Sequence, residues 1–95
     1  METPEVRRAT VEDAEIIEPV RLEAGVKVRG GRIGPNVTLE EGTIADGCQL
    51  QNTVVGPHAV LEGARLHDSI VGGHARVSDI SGMLLVTDHS VVEGA

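Results

Sequence analysis

Phe, Tyr and Trp are all absent from this sequence of 95 residues, and cysteine occurs only once. A compact domain normally uses aromatic side chains to fill its core, so their absence favours a narrow interior lined by smaller aliphatic residues. A single cysteine excludes an internal disulfide framework and suits a reducing compartment. At this length we expect one small domain with a limited core.

Basic clusters and long apolar runs are also missing. The net charge is −7, which argues against nucleic acid and anionic membrane surfaces as partners. No stretch is apolar enough to span a membrane, and the N-terminus lacks the basic-then-apolar pattern of a signal peptide. We therefore expect a cytoplasmic protein without a nucleic-acid or membrane partner.

What the sequence does contain is a regular series of aliphatic residues, separated by strictly alternating steps of six and five. The series consists of Val11, Ile17, Leu22, Val28, Ile33, Leu39, Ile44, Leu50, Val55, Leu61 and Leu66. Helices and flat strands have other periods, whereas a coil that turns a corner every five or six residues has this one. The spacing predicts an all-β, single-stranded parallel β-helix of hexapeptide repeats. An aspartate at Ile44 or Leu50 is expected to unfold it, because an unpaired charge would lie inside the coil.

A recurring four-residue pattern indicates three sides per turn. Val55–His58, Val71–His74 and Val86–His89 follow one another at intervals of 16 and 15 residues. Three sides of five or six residues add up to the same length, so each interval is interpreted as one full turn. The chain then has about 4–5 turns, with neighbouring turns spaced like neighbouring strands, about 4.8 Å apart.

Two further columns of residues agree with this register. The position two residues before each aliphatic should face the narrow interior and be small, and it holds Val20, Val26, Gly31, Val37, Gly42, Cys48, Thr53, Ala59, Ala64, Ser69 and Ala75. The fourth position of the six-residue sides should form a corner, and from the second such side onward it holds Gly25, Asn36, Gly47, His58, His74 and His89. Gly, Asn and His tolerate a positive φ at such corners. The first side, with Ala14, is an exception.

The pattern divides the chain into two parts. Residues 1–10 are polar and are interpreted as a linker or tail, and residues 11–95 as the β-helix domain. The register breaks near residues 78–85, where we expect a short excursion, followed by a closing strand from about Leu84 to Val92.

The four histidines raise the question of a metal site. Three of them, His58, His74 and His89, could stack on successive turns and hold zinc. However, each occupies a corner position that Asn36 and the glycines also occupy, so a turn role is favoured. His67 follows an inward leucine and is expected to lie on the surface. No metal site is predicted.

Three other features have simple structural explanations. Cys48 falls in the small inward column and is interpreted as a packing thiol rather than a nucleophile. The stretch from Arg29 to Gly34 resembles a phosphate-binding loop only faintly, and two glycines at a corner explain it. The acidic residues Asp13, Glu15, Glu18, Glu40, Glu41 and Glu62 are interpreted as a solvated surface. The sequence therefore predicts no catalytic and no cofactor-binding residue.

Three stretches of the coil resemble one enzyme family. Val11–Gly42 is similar to the entry into the C-terminal left-handed β-helix of glucose-1-phosphate thymidylyltransferases and related sugar-phosphate nucleotidyltransferases, including its Gly-Pro corner. His67–Val77 is similar to the penultimate turn of that domain, and Leu84–Gly94 to its closing strand. The sequence departs from the family at Thr87, where Gly is usual.

The resemblance implies a left-handed coil that supports assembly or regulation. In that family the catalytic residues, and the Mg²⁺ that the reaction uses, belong to an N-terminal domain that makes dTDP-glucose. None of those residues occurs in this chain, which we expect to be inactive alone and to partner a catalytic domain, another copy of itself, or both. Two alternatives remain: a stand-alone hexapeptide enzyme, either an acyltransferase or a γ-carbonic-anhydrase-like hydratase, and a non-catalytic scaffold.

Overall fold

The computed structural model describes residues 9–94, and twelve β-strands account for all the regular structure in that range. The strands are β1 (Thr10–Glu12), β2 (Glu15–Ile16), β3 (Val20–Leu22), β4 (Lys27–Ile33), β5 (Val37–Leu39), β6 (Ile44–Val55), β7 (Val60–Glu62), β8 (Arg65–Val71), β9 (Arg76–Ser78), β10 (Ser81–Gly82), β11 (Leu85–Val86) and β12 (Val91–Glu93). Within residues 9–94 no helix has the length and hydropathy that crossing a membrane requires.

All strand pairs are parallel, and they stack into a left-handed β-helix of about five turns. The coil has three faces. The first consists of β1, the start of β4, the start of β6, β7, β9 and β12; the second of β2, the end of β4, the middle of β6, the start of β8 and β10; the third of β3, β5, the end of β6, the end of β8 and β11. This confirms the predicted fold class.

The turns become shorter along the chain. The interval from Thr10 to its partner Lys27 equals the interval from Lys27 to Ile44, but the next interval, from Ile44 to Val60, is shorter by one residue. The last interval, from Arg76 to Val91, is shorter by one residue again. Each change removes one residue at the corner between the second and third faces.

The interior follows the predicted aliphatic series with two corrections. Nine of the eleven residues stand in the inward columns, but Ile17 and Ile44 do not. Ile16 pairs with Ile33 in the second face, and Ala45 pairs with Val28 and Leu61 in the first. Ile44 points outward and is 39% exposed, whereas Ala45 is fully buried. The rule fails at Ile17 because the five-residue step precedes the six-residue step in the first turn. It fails at Ile44 because the second turn, from Val28 to Ala45, is as long as the first, whereas the rule makes it one residue shorter.

The small inward column is confirmed for most of its members. Val26, Cys48, Ala59, Ala64 and Ala75 are completely buried. The shift at Ala45 moves one member of the column from Gly42 to Thr43, which is also completely buried. Its hydroxyl donates a 2.9 Å hydrogen bond to the carbonyl of Gly56, so this polar group is satisfied inside the coil.

The corners follow the prediction closely. All six predicted corner residues, Gly25, Asn36, Gly47, His58, His74 and His89, have a positive φ. The sequence did not indicate the corners at Asp13, Asn52, Asp68 and Asp79, which also have a positive φ. Asp and Asn adopt this conformation more readily than other non-glycine residues, so their types are consistent with their positions.

The chain keeps pairing through the segment where an excursion was expected. Ser81–Gly82 pairs with Arg65–Leu66, and Leu85–Val86 pairs with Ile70–Val71 at an interval that is shorter by one residue. The register therefore shifts by one residue between Gly82 and Leu85 while the coil continues. The predicted linker lies outside the described residues except for Ala9 and Thr10, and Thr10 begins β1.

Candidate functional site

Three histidines form a ladder at the corner between the third and first faces. The ring centroids of His58 and His74 are 5.2 Å apart, and those of His74 and His89 are 5.0 Å apart. The rings are nearly parallel, with interplanar angles of 26° and 9°. Each residue has a φ close to 60°, which confirms the predicted corner role.

The stacked arrangement does not suit a shared metal ion. Tetrahedral zinc with bonds of about 2.0 Å requires ligand nitrogens about 3.3 Å apart whose lone pairs converge on one point. Parallel rings 5.0 Å apart direct their lone pairs side by side instead. Among residues 9–94 no group of three His, Cys, Asp or Glu side chains is placed to hold a metal ion. A hydratase of the γ-carbonic-anhydrase kind needs three convergent histidines, and this ladder does not supply them.

Replacing His58 by Gly is expected to leave the melting temperature within a few degrees of the parent value. Glycine adopts a positive φ without strain, and Gly25 and Gly42 already occupy this corner in the earlier turns. The matched variant His58→Val forces a β-branched residue into the same conformation at a cost of about 1–2 kcal/mol. Its melting temperature should fall by roughly 5–15 °C. Thermal unfolding of both variants tests the corner role, which would be contradicted by equal losses.

Cys48 is packed inside the coil. Its side chain is completely buried between Gly31 and Ala64, the corresponding residues of the neighbouring turns. Burial raises the pKa of its thiol, so little reactive thiolate forms at neutral pH. The Sγ atom lies 3.4 Å from the carbonyl oxygen of Asp46. Its surroundings are those of a packing residue, as the sequence predicted.

The glycine-rich stretch also has its predicted role at a corner. Gly30 and Gly31 have φ values of 68° and 83° and join the first face to the second. The segment continues as strand rather than helix. A phosphate-binding loop depends on a helix N-terminus, and this stretch provides none.

The predicted acidic surface lies almost entirely in solvent. Asp13, Glu15, Glu18, Glu41 and Glu62 are exposed, and Glu40 is half-buried. Glu15 forms an ion pair with Arg32 at 3.0 Å. Exposed pairs of this kind contribute little to stability.

An apolar ridge runs along the third face in its last three turns. It consists of Val54, Ile70 and Leu85, which pair with one another across the turns and are 43%, 55% and 80% exposed. The sequence did not reveal this ridge, because each member stands next to an equally aliphatic inward residue.

A contiguous exposed apolar ridge on a narrow coil is typical of an interaction surface.

Comparison with models of protein families, with curated proteins and with solved structures found no match for this chain. The observations together establish a parallel β-helix scaffold with a histidine corner and an exposed apolar ridge on its third face.

Proposed function

We propose that this β-helix is an assembly domain of a sugar-phosphate nucleotidyltransferase of the glucose-1-phosphate thymidylyltransferase type. Two things support the proposal: the resemblance of Val11–Gly42, His67–Val77 and Leu84–Gly94 to that family's coil, and the exposed ridge. In the proposal the chain itself is inactive. Catalysis, with the Mg²⁺ it uses, belongs to a partner domain in the cytoplasm.

The apolar ridge is the observation that carries the assembly role. Each Å² of apolar surface that is removed from water contributes about 25 cal/mol of stabilisation, which favours covering the ridge. Val54, Ile70 and Leu85 also have rigid or short side chains, so little conformational entropy is lost when they are covered. The ridge therefore suits a permanent contact better than a transient polar one.

A second copy of the coil is the partner that fits this surface. Because the net charge is −7, two copies repel each other least where they meet through uncharged residues. Val54, Ile70 and Leu85 form such a surface. A two-fold axis places the same patch of each copy against the other, so Ile70 would lie near the centre of the contact.

Analytical ultracentrifugation tests the assembly role. At about 100 µM, well above a micromolar Kd, the parent chain should sediment as an oligomer and Ile70→Glu as a monomer. The matched control is Val91→Glu, which adds the same charge at another exposed apolar position, on the first face. It should leave the oligomer intact. A monomeric parent, or an oligomer that survives Ile70→Glu, would contradict the proposal.

The nucleotidyltransferase assignment has a separate test in the genomic DNA upstream of the Met1 codon. An open reading frame that continues into a glycine-rich nucleotidyltransferase domain is expected. An in-frame stop codon close before Met1 would overturn the form of the proposal in which the catalytic domain and the coil belong to one chain. The scaffold role of the ridge would survive that result, since sedimentation tests it independently.

A further inference from the structure

The second face contains a shallow groove of about 190 Å³ that no carboxylate lines. Its chemical character is unlike that of three other grooves on the described surface. These contain Glu62 and Glu93, Glu18, and Glu12 and Asp46, respectively. Besides Gly34, Leu50 and Leu66, the groove is lined by two arginines, two glutamines and a histidine. In a chain with a net charge of −7, this lining favours an anion more than the other grooves do.

The register of the coil places two arginines along one side of the groove. Arg32 pairs with Gln49 and Gln49 pairs with Arg65, so the three side chains point outward in one column on successive turns. Because neighbouring turns lie about 4.8 Å apart, the two arginines start about 9.6 Å apart. Their long side chains can span that gap or converge on one group between them.

The other side of the groove is a second outward column. It contains Gly34, Gln51 and His67. Gly34 is buried, and a side chain there would collide with the carbonyl of Ile17 in the preceding turn. Gln51 offers both hydrogen-bond donors and acceptors, and so does the His67 ring. The ring nitrogen of His67 lies 3.3 Å from the Asp68 carboxylate, which stands at the corner outside the groove.

Both arginines retain donors for a ligand. The Nε of Arg32 donates to Glu15 at 3.0 Å, so its two Nη groups stay available. Arg65 has no carboxylate within ion-pair distance among residues 9–94. Guanidinium groups bind phosphate with paired, charge-assisted hydrogen bonds.

We propose that this groove binds a small phosphorylated sugar, with the phosphate between Arg32 and Arg65 and the hydroxyls on Gln49, Gln51 and His67. The chain has no Phe, Tyr or Trp, the large aromatic side chains on which nucleobases commonly stack. The volume is also below the range of about 300–1,000 Å³ that drug-sized ligands occupy. The site stands independently of the assembly role, because the groove and the apolar ridge lie on different faces.

Titration of the ¹⁵N-labelled chain, followed by amide chemical shifts, tests the site. The probe is glucose 6-phosphate, with glucose and inorganic phosphate as separate titrations up to about 10 mM. Glucose 6-phosphate should produce saturable shifts centred on Gln49, Gln51, Arg65 and His67. Glucose should produce none, and inorganic phosphate should bind more weakly than the sugar phosphate.

Two variants with the same change of charge separate a defined site from general attraction. Arg65→Gln should weaken binding of glucose 6-phosphate by about tenfold or more. Arg76→Gln, at an exposed position on the first face, should leave it unchanged. Equal losses in the two variants, shifts that do not saturate, or equal affinity for inorganic phosphate would overturn the proposal.

Discussion

Leu50→Asp is expected to abolish folding of the coil. Leu50 is 2% exposed and lies between Ile33 and Leu66 in the inward column of the second face. Losing a buried leucine costs about 2–5 kcal/mol, and an unpaired buried carboxylate costs several more. That sum is comparable to the whole stability of a small domain, about 5–15 kcal/mol. Circular dichroism should show no strand signal, and Cys48 should react rapidly with a thiol reagent at neutral pH.

The matched control is Ile44→Asp, six residues earlier in the same strand. Ile44 points outward between Lys27 and Val60 and is 39% exposed. Its carboxylate would remain in solvent beside a lysine, so the variant should fold and keep Cys48 protected. The aliphatic spacing of the sequence assigned both residues to the interior. If Ile44→Asp also unfolds, the correction that places Ala45 inside is wrong.

Gly31→Ala is expected to cause the second large effect, a loss of more than about 4 kcal/mol in the free energy of unfolding. Gly31 has a φ of 83° and pairs with Cys48 of the next turn. A Cβ atom at Gly31 would overlap the carbonyl oxygen of Cys48. The obstructing atom is backbone, so relief requires two turns to separate. Denaturant unfolding measures the loss directly.

Gly47→Ala is the control for the conformational part of that effect. Gly47 has a φ of 65°, but a Cβ atom there would meet nothing within 4 Å. An alanine should therefore cost only the left-handed backbone penalty of about 1–2 kcal/mol. Similar losses at Gly31 and Gly47 would mean that the close approach of the turns at Gly31 has no energetic consequence.

The sequence predicted those parts of the fold that depend on local backbone constraints. Glycine, asparagine and histidine at the corners signal a positive φ residue by residue, and repeated aliphatics signal a narrow interior. The error at Ile44 arose because its neighbour Ala45 is a weaker hydrophobic signal. A rule of fixed spacing selects the larger residue, whereas the length of the turn decides which one points inward.

The two proposed surfaces could not be predicted from the sequence, for a different reason. Val54 and Val55, or Ile70 and Val71, are indistinguishable as types, yet one of each pair is exposed and the other buried. Arg32 and Arg65 are far apart in the sequence and come to lie in one column, on either side of Gln49, only through the register of two turns. A surface column is a property of pairing, and pairing is not visible until every turn length is known.

The shortening of the turns also tapers the coil. Its first turn contains two residues more than its last turn. Copies joined end to end would have to bridge that whole difference in a single step, twice any step within the coil, so their backbone hydrogen bonds could not run in register around all three faces. The taper therefore opposes fibre growth from the open ends, a hazard of exposed strand edges, and directs association to the flanks.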